Sequence, residues 1–142
     1  MPQQETQVIY KTGDLVLVEL KNNIGHQQGG VRPAVIVSNN VGNKVSPTVE
    51  ILPLTTKRTQ SNIPTHVDFK AADVEGLSKD STVEAESKWV INKFQILKKL
   101  GRFTDEQLER IACAMVFATP IVIKAFELGI QDTSLFKRIN TD

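Results

Sequence analysis

The chain has 142 residues, of which 40% are hydrophobic and 23% charged, and its formal net charge is +1. This composition is typical of one globular domain and excludes a disordered polymer. It also excludes a polycation, so any binding to nucleic acid would need a local basic groove.

The single cysteine, Cys113, excludes an intramolecular disulfide, and the first residues lack the basic and apolar regions of a signal peptide. The longest apolar candidate runs from Ile111 to Leu128, and Lys124 and Glu127 interrupt it. We therefore expect a cytoplasmic protein with no membrane partner. Cys113 is expected to be a small buried residue of a helix.

The pattern over residues 14–97 predicts an all-β module, because short runs rich in β-branched residues alternate with turn formers. Pro33 suits an edge or a strand start, since it cannot donate to a ladder. Five or six short strands in sequence favour a small barrel. The strands are expected at residues 15–20, 31–38, 48–56, 64–69 and 80–86, the last running on toward 89–91, with a turn at 39–43.

The chain changes character after Gly101. Thr104 and Gln107 form a capping-box pattern before apolar residues at helical spacing, which predicts a helix that begins at Asp105 and packs on the barrel. Pro120 is expected to kink or stop this helix, and a second helix is expected at 121–128 with Gly129 as its cap. One domain would then span 1–142, with a barrel at about 13–97, a helical region at about 104–129 and a tail at 130–142.

Several linked blocks of the sequence resemble the MazF/PemK family. They are residues 25–33 (GHQQGGVRP), 35–37 (VIV), 39–40 (NN), 46–48 (SPT), 53–55 (PLT) and 63–67 (IPTHV). Residues 76–81 (GLSKDS) are similar to the family's segment before its fifth strand. The resemblance runs from about Gly13 to Ile91 and continues more loosely into the helix from Asp105.

This resemblance implies a mainly β fold, an SH3-like or CcdB-like small barrel with C-terminal helices, which forms a homodimer with an RNA groove near the dimer interface. It further implies the toxin of a type II toxin-antitoxin system. Such a toxin is an endoribonuclease that cuts single-stranded RNA without a metal or cofactor and is inhibited by a cognate antitoxin. Periodicity alone predicts only a small barrel with a helix.

Metal-free RNA cleavage proceeds by attack of the ribose 2′-hydroxyl on the neighbouring phosphorus, which needs one cation and one or two proton carriers. Arg32 suits the cationic role, because a guanidinium grips phosphate oxygens through two parallel hydrogen bonds. The resemblance places Thr55 beside Arg32, where its hydroxyl could donate to the same phosphate. His26 could carry a proton or bind phosphate. Glu86 matches an acidic position of the family and could orient Arg32 or accept the 2′-hydroxyl proton.

Two loops carry the residues expected to bind RNA. They are Gln27, Gln28, Gly29, Gly30, Lys57 and Arg58. The glycine pair would let the backbone approach RNA closely, and the two cations could reach its phosphates. Trp89 and Phe94 offer faces for base stacking, although packing in the core or an interface is the favoured state of Trp89. No Cys/His spacing resembles a zinc motif, so we expect no metal site.

Two other functions remain open at this stage. Family members usually carry Glu-Gln where this chain has Gln27-Gln28, and an Arg-Thr-Ile-Asp-like stretch where it has residues 89–92 (WVIN). These departures favour a catalytically weak or inactive module that binds RNA or a partner. The third function is a CcdB-like gyrase poison, although that family lacks the Gly-Gly-x-Arg-Pro block at residues 29–33.

Overall fold

The computed structural model describes residues 7–21, 30–56 and 62–128. The predicted site residues at 26–29, 57 and 58 therefore lie outside the described residues, as do the predicted cap at Gly129 and the tail at 130–142. The elements in chain order are β1 (Asp14–Leu20), β2 (Gly30–Ile36), α1 (Asn40–Val45), β3 (Thr48–Thr56), β4 (His66–Phe69), β5 (Ser81–Glu84), β6 (Trp89–Asn92), β7 (Ile96–Arg102), α2 (Asp105–Ala118) and α3 (Ile123–Glu127). The predicted mainly β fold with C-terminal helices is confirmed.

The strands form one antiparallel sheet in the order β4-β5-β3-β2-β1-β7, and β6 pairs with the first half of β3. Strand β3 changes partner along its length. Its residues Ile51–Pro53 pair with β2, whereas Leu54–Thr56 pair with β5. Among the residues that the structure describes, β4 and β7 do not pair, so the sheet is open where the sequence predicted a closed barrel.

A loop contact, rather than strand pairing, joins the two ends of the sheet. The backbone at Gly76, between β4 and β5, approaches β7 so closely that a Cβ there would lie 2.0 Å from the carbonyl oxygen of Leu100. A Cβ on Gly101 would likewise lie 2.0 Å from the carbonyl oxygen of Glu75. Glycine at these positions is what allows the backbones to come together.

Two apolar clusters hold the sheet, and alternate residues of the central strands contribute to each. Leu52 and Leu54 belong to the cluster that also contains Ile111 and Ala114 of α2. Val49 and Ile51 belong to the second cluster, which Ile91 of β6 completes. Because successive strand residues point to opposite faces, the two clusters lie on opposite sides of the sheet.

Three β-region predictions were wrong in detail. Residues 39–43 were expected to form a turn but enter α1, because the Asn39 side chain caps the helix by accepting from the Gly42 amide at 2.8 Å. The predicted fifth strand does not continue to residue 91: β5 ends at Glu84, and β6 is a separate strand on β3. Strand β7 runs past the predicted barrel end at residue 97, where adjacent lysines at 98 and 99 break the alternation.

The predicted start of α2 is confirmed. The Gln107 amide donates to Thr104 Oγ1 at 3.2 Å, and the Thr104 amide donates to Gln107 Oε1 at 2.8 Å, which together form the capping box. Cys113 was expected to be buried but is exposed, because the face of α2 that packs on the sheet carries Ile111 and Ala114 instead. No helix within the described ranges is both long and apolar enough to cross a membrane.

Candidate active site

A cleft of about 950 Å³ lies where β3 leaves β2 and joins β5. One wall comes from β1, β2 and β7, and the other from β4, β5 and the second half of β3. The loop around Gly76 lines the cleft as well. The change of partner by β3 therefore separates the two halves of the sheet at the place where the cleft opens.

The sheet register brings Arg32 and Thr55 to the same face. The β2–β3 ladder ends at the pair Ala34–Pro53. Arg32 lies two residues before Ala34 and Thr55 lies two residues after Pro53, so both side chains share the face of that last pair. Both residues are half-buried and line the cleft.

Arg32 is held within a strand rather than on a loop. It stands opposite Val18 of β1, and its Nε atom is buried. Pro33 follows it and lies one residue outside the pairing with β3, so its missing amide hydrogen costs no bond in that ladder. With its Nε atom buried, the Arg32 side chain has little conformational freedom left to lose when a ligand binds.

The Thr55 hydroxyl faces a glutamate of β5. Thr55 is paired with Thr82, and its Oγ1 donates to Glu84 Oε1 at 3.4 Å. The other carboxylate oxygen, Oε2, accepts from Ser87 Oγ at 3.4 Å. Glu84 lines the cleft and is half-buried. The carboxylate is therefore held at both oxygens, with one of them turned to Thr55.

His66 of β4 is the cross-strand partner of Glu84 and also lines the cleft. Its Nε2 lies 2.6 Å from Glu86 Oε1, and the side chains of His66 and Glu86 are 18% and 42% exposed. Partial burial raises the pKa of Glu86, but a backbone hydrogen bond and the contacts with His66 and Thr65 outweigh burial and hold this pKa below its ordinary value. His66 therefore has a charged carboxylate beside its ring.

The cleft is mixed in charge, with a cationic excess on its walls. Lys79 and Lys98 line it together with Arg32, against the single lining carboxylate of Glu84 among the described residues. The neighbouring cations of β7 point elsewhere: Lys99 and Arg102 contact Asp14 at 3.2 and 3.0 Å. A negatively charged chain such as a nucleic-acid backbone would find its counter-charges in this cleft.

The structure places both Arg32 and Thr55 in the lining of one cleft. Glu86 contacts His66 and does not line the cleft, whereas Glu84 does. Sequence reasoning missed Glu84 and His66 as site residues. The alternation of β5 offered a signal, because Thr82 and Glu84 are polar residues on the face that Thr55 occupies.

The remaining candidates lie apart from the cleft or outside the described residues. Trp89 is half-buried against the second apolar cluster, which agrees with the packing role favoured for it. Phe94 is 79% exposed and does not line the cleft. Within residues 7–21, 30–56 and 62–128, no group of three or more His, Cys, Asp or Glu side chains is placed to hold a metal ion.

The open antiparallel sheet with C-terminal helices carries a cation-lined cleft, and similarity to known proteins identifies the family. The chain belongs to the PemK-like, MazF-like toxins of type II toxin-antitoxin systems, whose family model matches residues 11–116. Endoribonuclease EndoA of Bacillus subtilis (strain 168) is 30% identical over 115 residues, which are 81% of this chain and 98% of that protein.

Solved structures agree with this membership. An endoribonuclease from Mycobacterial species, determined in complex with its cognate antitoxin, is 28% identical, with a TM-score of 0.60 over 77% of this chain and 93% of its own. A second Mycobacterial endoribonuclease is 26% identical, with a TM-score of 0.62 over 80% of this chain and 94% of its own. MazF of Deinococcus radiodurans is 22% identical, with a TM-score of 0.66 over 78% of this chain and 96% of its own. This structure supports the fold alone.

Proposed function

We propose that this protein is an endoribonuclease that cleaves single-stranded RNA, including mRNA in the cytoplasm, and so inhibits translation as the toxin of a type II pair. The observation that carries the proposal is that Arg32 and Thr55 both line the cleft, each two residues beyond the Ala34–Pro53 pair and on the same face of the sheet. The endoribonuclease relatives support the same reaction class.

In the proposed reaction the 2′-oxygen attacks the adjacent phosphorus, the bond to the 5′-oxygen breaks, and a 2′,3′-cyclic phosphate is left on the upstream fragment. Arg32 binds the phosphoryl oxygens and stabilises the charge that builds on them in the transition state. Its planar guanidinium matches two of these oxygens at once. Lys79 and Lys98 line the same cleft and would attract neighbouring phosphates of the strand.

The leaving 5′-oxygen needs a proton, and His66 is the group in the cleft suited to supply it. An imidazole ring nitrogen can pass a proton to a leaving oxygen, and the contact of Nε2 with Glu86 Oε1 at 2.6 Å holds the ring in place. Glu86 thus keeps a place in the proposed chemistry, but it acts through His66 rather than on Arg32. Residues 26–28 and 57–58, outside the described ranges, are proposed to extend the RNA contacts.

Two protein partners belong to the proposal. The first is a cognate antitoxin, since a Mycobacterial relative was determined in complex with one. An acidic antitoxin segment in the cleft would compete with RNA for Arg32, Lys79 and Lys98. The second is another copy of this chain, because a small protein with exposed apolar side chains on α2 and α3, such as Phe117 and Phe126, leaves surface to bury.

The experiment uses the purified full chain and a mixed-sequence single-stranded RNA, with and without a chelator. We expect site-selective cleavage that survives the chelator and leaves cyclic phosphate ends, detected by mass spectrometry of the fragments. RNA that is bound but stays intact would overturn the nuclease assignment in favour of a binding module. Cleavage that the chelator abolishes would overturn the metal-free mechanism.

A further inference from the structure

We propose that Glu84 is the positioning residue of this site and accepts the 2′-hydroxyl proton through Thr55. This inference rests on the proposed function and assigns its missing proton acceptor. The juxtaposition that carries it is the contact between Thr55 Oγ1 and Glu84 Oε1 at 3.4 Å inside the cleft.

A threonine hydroxyl has one proton to donate and two lone pairs with which to accept. In this site the proton of Thr55 is directed at Glu84, so the lone pairs of Oγ1 are what Thr55 offers to a substrate. A lone pair on Thr55 Oγ1 pairs with a hydrogen-bond donor, and the ribose 2′-hydroxyl is the donor among the reacting groups. Phosphoryl oxygens only accept, and they are served by Arg32. Thr55 therefore contacts the nucleophile rather than the phosphate.

Two contacts besides the one with Thr55 hold Glu84 in the site. Ser87 Oγ donates to its Oε2 at 3.4 Å, and the strand pairing of β5 with β4 fixes its backbone opposite His66. This leaves Oε1 turned to Thr55. A distance of 3.4 Å is long for such a bond, but contacts of this kind tighten when substrate enters the site. The carboxylate is thus held in place before RNA binds, which favours rate over affinity.

The proton transfer balances within the site. As the 2′-oxygen forms its bond to phosphorus, its proton passes to Thr55 Oγ1, and the Thr55 proton passes to Glu84 Oε1. The 5′-oxygen leaves and takes a proton from His66. Solvent then returns a proton to His66 and removes one from Glu84. Arg32, Lys79, Lys98 and His66 are the basic side chains that line the cleft together with Glu84 among the described residues.

The test compares Glu84→Gln, Thr55→Val and the double variant. Glutamine keeps an oxygen for the Thr55 hydrogen bond but cannot take a proton, so kcat should fall about a hundredfold while KM changes less than about threefold. Because the two residues act as one relay, the double variant should be about as slow as the slower of the two single variants. Affinity for an uncleavable RNA with 2′-deoxyribose at the cleavage site should stay within about threefold of the parent.

Glu109→Gln serves as the matched control, since Glu109 is exposed on α2 and does not line the cleft. Parent-like kcat in Glu84→Gln would overturn the assignment, and so would rate losses that multiply in the double variant. A loss confined to KM would overturn it as well. If the parent cleaves RNA and depends on Arg32, any of these results rejects only the role assigned to Glu84. If the parent cleaves no RNA, both the proposed function and this inference are rejected.

Discussion

Arg32 and Thr55 both lie beyond the end of the β2–β3 ladder, each two residues past its last pair, Ala34–Pro53. Had β3 continued along β2, the two residues would be adjacent partners in one ladder. Instead β3 turns to β5, and both side chains border the cleft that this departure opens. The cation and the hydroxyl assigned to the proposed reaction are therefore both held on strands rather than on loops.

Arg32→Ala should abolish RNA cleavage and leave the fold intact. The substitution removes the charge that stabilises the phosphoryl oxygens in the transition state, which typically costs on the order of 3 kcal/mol, a rate loss of a hundredfold or more. The measurement is kcat/KM on a fluorogenic single-stranded RNA, with circular dichroism as the check on folding. Lys44→Ala is the control, because this substitution also removes one positive charge and Lys44 is exposed on α1. A parent-like rate in Arg32→Ala would show that the site lies elsewhere.

Thr55→Val should slow cleavage, though less than Arg32→Ala, because it deletes one neutral hydroxyl and keeps the β-branched shape. Thr55→Ser should restore most of the rate, since serine keeps the hydroxyl that faces Glu84. Single-turnover rates at saturating protein separate this effect on the chemical step from an effect on binding. If valine and serine lowered the rate equally, the hydroxyl would not be the group that matters.

Local patterns predicted much of this fold. The bounds of β3 and the start of α2 followed from alternation and from the Thr104–Gln107 capping box, which are properties of neighbouring residues. Strand β7 was missed because Lys98 and Lys99 are adjacent, and so one of them faces the cleft while the other contacts Asp14 at 3.2 Å. A pattern based on apolar alternation does not detect a strand with polar residues on both faces.

The candidate site depends on pairings that a single sequence does not contain. Arg32 and Thr55 were expected together only through a family resemblance. Glu84 ends β5 and Glu86 lies two positions later, and the sequence alone does not indicate which of the two reaches the cleft. The register of β5 on β3 places Glu84 at Thr55, and the register of β5 on β4 places His66 within reach of Glu86. Both registers join strands that are distant in the sequence, so local patterns do not predict them.

Acid should weaken the fold partly through Glu86. Its pKa in the folded protein lies below the ordinary value of 4.5, so its contribution to the free energy of unfolding is fully present above about pH 4.5 and is lost as the pH falls through the folded-state pKa. Glu86→Gln should therefore lose less stability than the parent between about pH 6 and pH 3, measured by urea unfolding. Glu109→Gln is the control, and equal acid sensitivity of parent and Glu86→Gln would contradict the role assigned to the pair.

Gly76→Ala should destabilise the protein far more than Gly30→Ala. Both glycines have a positive φ, 83° at Gly76 and 101° at Gly30, so alanine at either position costs about 1 to 2 kcal/mol of backbone strain. Among the described residues, a Cβ at Gly30 meets nothing within 4 Å, whereas a Cβ at Gly76 would lie 2.0 Å from the Leu100 carbonyl oxygen. That overlap forces the loop away from β7, and we expect a total loss of about 3 kcal/mol or more. Urea unfolding measures both variants, and since Gly76 lines the cleft, Gly76→Ala should also lose RNA cleavage at temperatures where it remains folded. Equal destabilisation by the two substitutions would mean that the contact between the loop and β7 does not hold the cleft wall.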